Sequence, residues 1–185
     1  MISANEFKNG MTIELDGMLY EIISFQHVKP GKGGAFVRTR LKDIKEERMI
    51  EKTFRAEEKV TQAILEQRSM LCLYKNSNNY YFMDNETFEH VSVPLDILGN
   101  AVNYLKENMQ VTLSTYKDEI IKVTPPIFVE LEVKKTSPGV KGDTVSSGTK
   151  PATLETGLTV QIPLFISEGD TVRIDTRTGE YIERV

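Results

Sequence analysis

The sharpest chemical signal in this sequence is the run Lys29-Pro30-Gly31-Lys32-Gly33-Gly34. Proline has a fixed φ, and the three glycines allow positive φ and a close approach of backbone to a ligand. Lys32 stands between residues that have no side chain, so its ammonium is displayed with nothing in its way. A lysine so placed is a compact, flexible point charge suited to phosphates and sugars. The spacing alone is compatible with an ordinary hairpin turn carrying a solvated lysine. It is also compatible with a basic arm touching phosphates, because Arg38 and Arg40 lie two residues apart and share one face of a strand. A nucleotide-binding P-loop is excluded. That motif needs a glycine five residues before the Gly-Lys pair and Ser or Thr after it, where this chain has Gln26 and Gly33.

No other constellation in the chain suits catalysis. There is no paired-carboxylate, Ser-His-Asp, Cys-His or metal-ligand spacing. One cysteine, Cys72, cannot form an internal disulfide, and with only His27 and His90 beside it a zinc cluster is disfavoured. Cys72 lies in an apolar run and reads as core, and His27 reads as a strand residue. The expectation is a non-enzymatic protein with no cofactor and no metal.

The elements that must position Lys32 are strands. Residues 20–28 and 35–43 form two strand-like arms of nine residues each, which predicts a hairpin roughly 30 Å long at about 3.3 Å per residue. Asp16-Gly17 precedes the first arm and is a hairpin-turn dipeptide. Phe36 to Leu41 alternates apolar and polar, the period of a half-exposed strand. Further strands are predicted at 49–54, 70–74, 80–83, 111–115, 120–123, 127–133, 158–165, 172–175 and 181–184. Short helices are expected over 100–106 and, more weakly, 61–67. Residues 136–151 read as a long Gly/Ser/Thr/Pro loop. The pattern predicts three consecutive all-β units at 1–64, 65–128 and 129–185.

The 185 residues carry 23 basic and 27 acidic side chains, a net charge of −4, and 39% apolar residues. This is a globular balance. No apolar run approaches the roughly 20 residues of a membrane-spanning helix, and no signal-peptide pattern opens the chain. A cytoplasmic monomer without membrane contact is expected. The acidic total argues against a nucleic-acid partner until it is divided by position. Residues 1–64 are net +1, residues 65–128 net −3 and residues 129–185 net −2. Within 29–45, Lys29, Lys32, Arg38, Arg40, Lys42 and Lys45 face only Asp43, a local +5. Local potential steers a ligand, so an RNA partner stays open.

The run Phe25 to Arg38 resembles the tip loop of bacterial translation elongation factor P. The resemblance extends over nearly the whole chain. It includes Asn5-Glu6-Phe7 with Gly10, Glu51 to Phe54, Tyr81 to Glu89, Val123 to Glu132, Lys141 to Thr144, Lys150 to Thr153 with Gly157, Pro163 and Gly169, and Asp175 to Arg184. One departure stands out. The family often has a Gly-Asp-Asn-Ala-Lys loop facing the exit-site mRNA codon, and this chain has Leu98-Gly99-Asn100-Ala101-Val102, without the aspartate and lysine.

The resemblance implies a KOW/SH3-like barrel followed by two OB folds, in an L-shaped, tRNA-like arrangement. It implies binding to the 70S ribosome between the peptidyl and exit sites and stimulation of peptide-bond formation at consecutive prolines. The loop residues Pro30, Gly31 and Gly33 would present Lys32 to the CCA end of peptidyl-tRNA. Lys29, Arg38, Arg40, Tyr181 and Arg184 would contact RNA, and an exit-site mRNA codon is a further implied partner. A lysine-modifying enzyme is also implied, since relatives lengthen this lysine. Rhamnosylation, which occurs on arginine in other branches, does not suit a chain that keeps lysine. Lys141 and Lys150 would face the small subunit.

Overall fold

The computed structural model describes residues 1–31, 33–138 and 148–185. Strands make up most of its regular structure. The first sheet holds β1 (Ile2–Ser3), β2 (Thr12–Leu15), β3 (Met18–Val28), β4 (Phe36–Asp43), β5 (Met49–Arg55) and β6 (Lys59–Ala63). Its strand order is β1-β6-β2-β3-β4-β5. Asp16 and Gly17 have φ of 51° and 80° and join Leu15 to Met18 in a two-residue turn. Both central residues have positive φ, so the turn twists with the strands it connects. Inward residues of this sheet, among them Ile13, Ile22, Val37, Leu41 and Phe54, are completely buried. Phe7 meets Phe54 edge-on at 5.3 Å between ring centres, a favoured aromatic geometry.

The second sheet contains β7 (Glu66–Lys75), β8 (Asn79–Asp84), β9 (His90–Pro94), β10 (Gln110–Tyr116) and β11 (Glu119–Thr124), in the order β11-β10-β7-β8-β9. The Asn76 side chain accepts the N–H groups of Asn78 and Asn79 at 3.0 and 2.8 Å and so builds the β7–β8 turn. The third sheet contains β12 (Phe128–Thr136), β13 (Thr149–Leu154), β14 (Thr159–Pro163), β15 (Thr171–Asp175) and β16 (Glu180–Arg184), in the order β14-β13-β12-β15-β16. Its edges β14 and β16 approach each other and curl the sheet toward a barrel. Val129, Leu131, Val133, Ile162, Ile166, Val172 and Ile174 fill it.

The chain divides into two compact units. One holds residues 1–67 with 114–122, and the other holds 68–113 with 123–185. In the first unit the tip of the β10–β11 hairpin is tied to β2. The Tyr116 hydroxyl donates to the Glu14 carboxylate at 2.9 Å, and Lys117 Nζ donates to the same oxygen at 3.0 Å. Ile121 packs there with Leu19 and Ala63. In the second unit Asp175 ends β15, and its carboxylate accepts from Arg177 through Nε at 3.0 Å, Nη2 at 2.6 Å and the backbone N–H at 2.9 Å. The Arg177 guanidinium is the main reason its pKa falls to about 2, from an ordinary 3.8.

Three sequence expectations are corrected. Residues 61–67 form no helix: they end β6 and begin β7, because Val60 pairs with Ile2 and Ala63 with Thr12. The helix expected over 100–106 is a 3-10 segment, Gly99–Asn103, preceded by one α-turn, Leu95–Leu98. The loop expected over 136–151 is shorter at both ends, since β12 reaches Thr136 and β13 starts at Thr149. Residues 139–147 lie outside the described residues.

Phe54→Ala is expected to destabilise the chain by about 3–5 kcal/mol, the usual cost of emptying a buried aromatic site, read as a lower urea midpoint. Asp175 ionises more readily folded than unfolded, so its contribution is full above about pH 4 and is lost as pH falls toward 2. Asp175→Asn is therefore expected to lower stability at pH 7 and to flatten the loss of stability between pH 4 and 2, measured by thermal melts across that range.

Candidate functional site

The β3–β4 ribbon carries the glycine-framed lysine. Its last cross-strand pair is Val28 with Phe36, so residues 29–35 form the tip. Lys32 lies outside the described residues. Its neighbours are described: Lys29, Pro30, Gly31 and Gly33 are all exposed. Gly33 has φ of 115°, a conformation that side chains rarely adopt, and a Cβ there would sit 3.8 Å from Pro30 Cγ. The positive φ, rather than any lack of space, is what favours glycine at 33.

Below the tip, β4 alternates. Val37, Thr39 and Leu41 are buried, while Arg38 and Arg40 are exposed on the opposite face, as their spacing predicts. Antiparallel pairing sets each outward residue of β4 between one residue of β3 and one of β5. Lys42 lies between Glu21 and Met49, Arg40 between Ser24 and Glu51, Arg38 between Gln26 and Thr53, and Phe36 between Val28 and Arg55. Arg40 Nε is 3.9 Å from the Glu51 carboxylate, and Lys42 Nζ is 3.6 Å from Glu47. Among the described residues Lys29, Arg38 and Arg55 have no ion-pair partner. Sequence reasoning passed over Gln26, Thr53 and Arg55. The alternation of 49–54 was legible, but only the register puts these residues beside Arg38.

The inward face of the ribbon is different in kind. Phe25 and His27 meet edge-on at 5.4 Å, and Lys52 Nζ lies 5.6 Å from the Phe54 ring centre. His27 is thus an exposed strand residue packed on an aromatic neighbour. The Thr39 hydroxyl is buried with no partner among the described residues.

The other sequence-predicted sites lie elsewhere in the chain. Tyr181 is half-buried on β16, opposite Ile174. Arg184 is exposed, with its guanidinium 5.9 Å from the Phe165 ring centre and 3.9 Å from the Asp170 carboxylate. In the Leu98–Val102 run, Gly99 has φ of 50° and Ala101 is buried, so part of the run serves the core. Lys150 is corrected from a loop contact to a buried residue whose ammonium donates to the Ser137 carbonyl at 2.8 Å. Lys141 lies outside the described residues. Cys72 is buried, and desolvation, with the Glu107 charge second, raises its thiol pKa to about 11. A thiol held neutral in this way packs as an apolar side chain. Among the described residues no group of three His, Cys, Asp or Glu side chains could hold a metal ion, and no helix is long and apolar enough to cross a membrane.

Comparison with known proteins covers the whole chain. Residues 3–60 match the elongation factor P KOW-like domain, residues 65–123 its OB domain and residues 129–184 its C-terminal domain. Elongation factor P of Natranaerobius thermophilus is 57% identical over 100% of this chain and 98% of its own length. That of Moorella thermoacetica is 56% identical, and that of Thermoanaerobacter sp. (strain X514) 54%, each over 100% of both chains. A solved structure of eukaryotic translation initiation factor 5A from Methanococcus jannaschii superimposes with a TM-score of 0.57 at 26% identity, covering 67% of this chain and 91% of that one. With family models spanning all three sheets and full-length relatives above half identity, the chain belongs to the elongation factor P family of translation factors.

Proposed function

We propose that this chain binds the ribosome between the peptidyl and exit sites and stimulates peptide-bond formation at consecutive prolines. Lys32 positions the CCA end of peptidyl-tRNA in this reading. The observation that carries it is the long β3–β4 ribbon, which ends in a tip where Pro30 and the positive-φ Gly33 frame that lysine. Proline is a poor partner in peptide transfer because its ring fixes φ and crowds the reacting carbonyl. Misplacement of about 1 Å can cost around a hundredfold in rate. A factor that orders the tRNA end restores attack geometry without supplying an acid, a base or a nucleophile. The chain accordingly acts as a non-catalytic accessory of peptidyl transfer.

The remaining partners follow from the same reading. Lys29, Arg38 and Arg40 contact RNA backbone along the ribbon, and Tyr181 and Arg184 contact tRNA from the third sheet. Residues 1–64, 65–128 and 129–185 are its working domains. A lysine-modifying enzyme acts on Lys32, and a longer cation on the same tip would reach farther. Toward an exit-site mRNA codon the Leu98–Val102 run offers no charged residue, and it buries Ala101. The chain works as a cytoplasmic monomer.

Lys32→Ala is expected to lower synthesis of a polyproline reporter to the level seen without the factor, a loss on the order of a hundredfold in the stalled step, with the thermal melt unchanged. Full rescue by this variant would remove the role assigned to Lys32. Intact-mass analysis of the Lys32 peptide from the native host reads the modification directly.

A further inference from the structure

The cations on the outward face of the ribbon are not equivalent. Toward the base, each has an acid beside it. Lys42 lies opposite Glu21 and near Glu47, and Arg40 lies opposite Glu51. Opposite charges set directly across a strand pair attract. Toward the tip no acid lies directly across the strands from a cation of this face. Arg38 is flanked by Gln26 and Thr53, both neutral, and in the next row Arg55 lies across from Phe36. The nearby Glu58 carboxylate is turned onto the backbone N–H of Arg55 at 2.9 Å rather than onto its guanidinium. Arg38 and Arg55 are diagonal neighbours on one face, a relation that places the two residues about 7–8 Å apart. Two guanidinium groups at that separation can hold successive phosphates of one RNA strand, each by a fork of N–H donors.

We infer that RNA backbone is held by the upper rows of this face, with Arg55 acting together with Arg38 as a phosphate-contact residue, and that Glu51 keeps Arg40 from contributing fully. The inference rests on the ribosome-binding reading above and sharpens it residue by residue. Its physical basis is competition. A phosphate approaching Arg40 must displace a carboxylate already beside it, whereas one approaching Arg38 or Arg55 displaces only water and counterions. Each free contact releases counterions and so adds to the salt dependence of binding, by roughly 0.7–0.9 in the slope of log K against log salt. A compensated cation adds less. The arrangement concentrates attraction toward the tip end of the strands and weakens it toward their base, which favours one docking depth over sliding along the arm.

The test is equilibrium binding of the full chain to 70S ribosomes stalled at consecutive prolines, measured over a potassium chloride series. Wild type is compared with R38Q, R40Q, R55Q and E51Q, each first shown to melt as wild type does. R55Q and R38Q are each expected to weaken binding about five- to tenfold at physiological salt and to lower the salt slope by roughly one contact. R40Q is expected to weaken binding by less than either of these, and E51Q to steepen the slope by freeing Arg40. A wild-type slope in R55Q, or a larger loss in R40Q than in R55Q, overturns the inference while leaving the ribosome-binding reading intact. A wild-type chain that fails to bind these ribosomes at any salt overturns both.

Discussion

The whole arrangement depends on the antiparallel register between β3 and β4. Ile22 of β3 and Val37 and Leu41 of β4 are locked into the first core with Phe54 of β5, and Val37 lies one row from the last cross-strand pair of the ribbon. Side chains alternate along a strand, so a slip of one residue would move all of these to solvent and bring Arg38 and Arg40 inward. Burying two guanidinium groups is costly, which disfavours such a slip. The core of the first sheet thereby decides which face of the arm carries the cations.

Charge is arranged on this frame by the same alternation. The chain as a whole is acidic, yet residues 29–45 carry a local +5 on a strand pair whose outward face is nearly free of acids toward its tip. Such a distribution suits a protein that must bring cations to one place in an RNA assembly without adhering to RNA elsewhere. The loop chemistry agrees with it. Pro30 and Gly33 shape the turn and add no side-chain functional groups that would mask the lysine.

Much of this was legible in the residue order. Asp16-Gly17 announced a two-residue turn, and both residues adopt the positive φ that such a turn needs. The apolar–polar alternation of Phe36 to Leu41 separated Val37, Thr39 and Leu41 from Arg38 and Arg40. Burial of Cys72 followed from its apolar run. The failures share one cause. Residues 61–67 look weakly helical in isolation, but β1 and β2 recruit residues 59–63 as a strand, and such long-range pairing overrides local propensity. Lys150 reads as a loop charge from its Gly/Ser/Thr surroundings. It is drawn inward because β13 starts at Thr149 and the Ser137 carbonyl is within reach of its ammonium.

The sequence by itself determined the all-β class, the glycine-framed lysine and the concentration of positive charge around it. These depend on residue type and short spacing, which need no folded context. Which cations are free and which are compensated was decided only by the tertiary structure. Arg40 and Glu51 are eleven positions apart in the chain, and Arg38 and Arg55 are seventeen apart. They become neighbours because three strands pair in one register, and electrostatic attraction between side chains depends on that distance in space and not on separation along the chain.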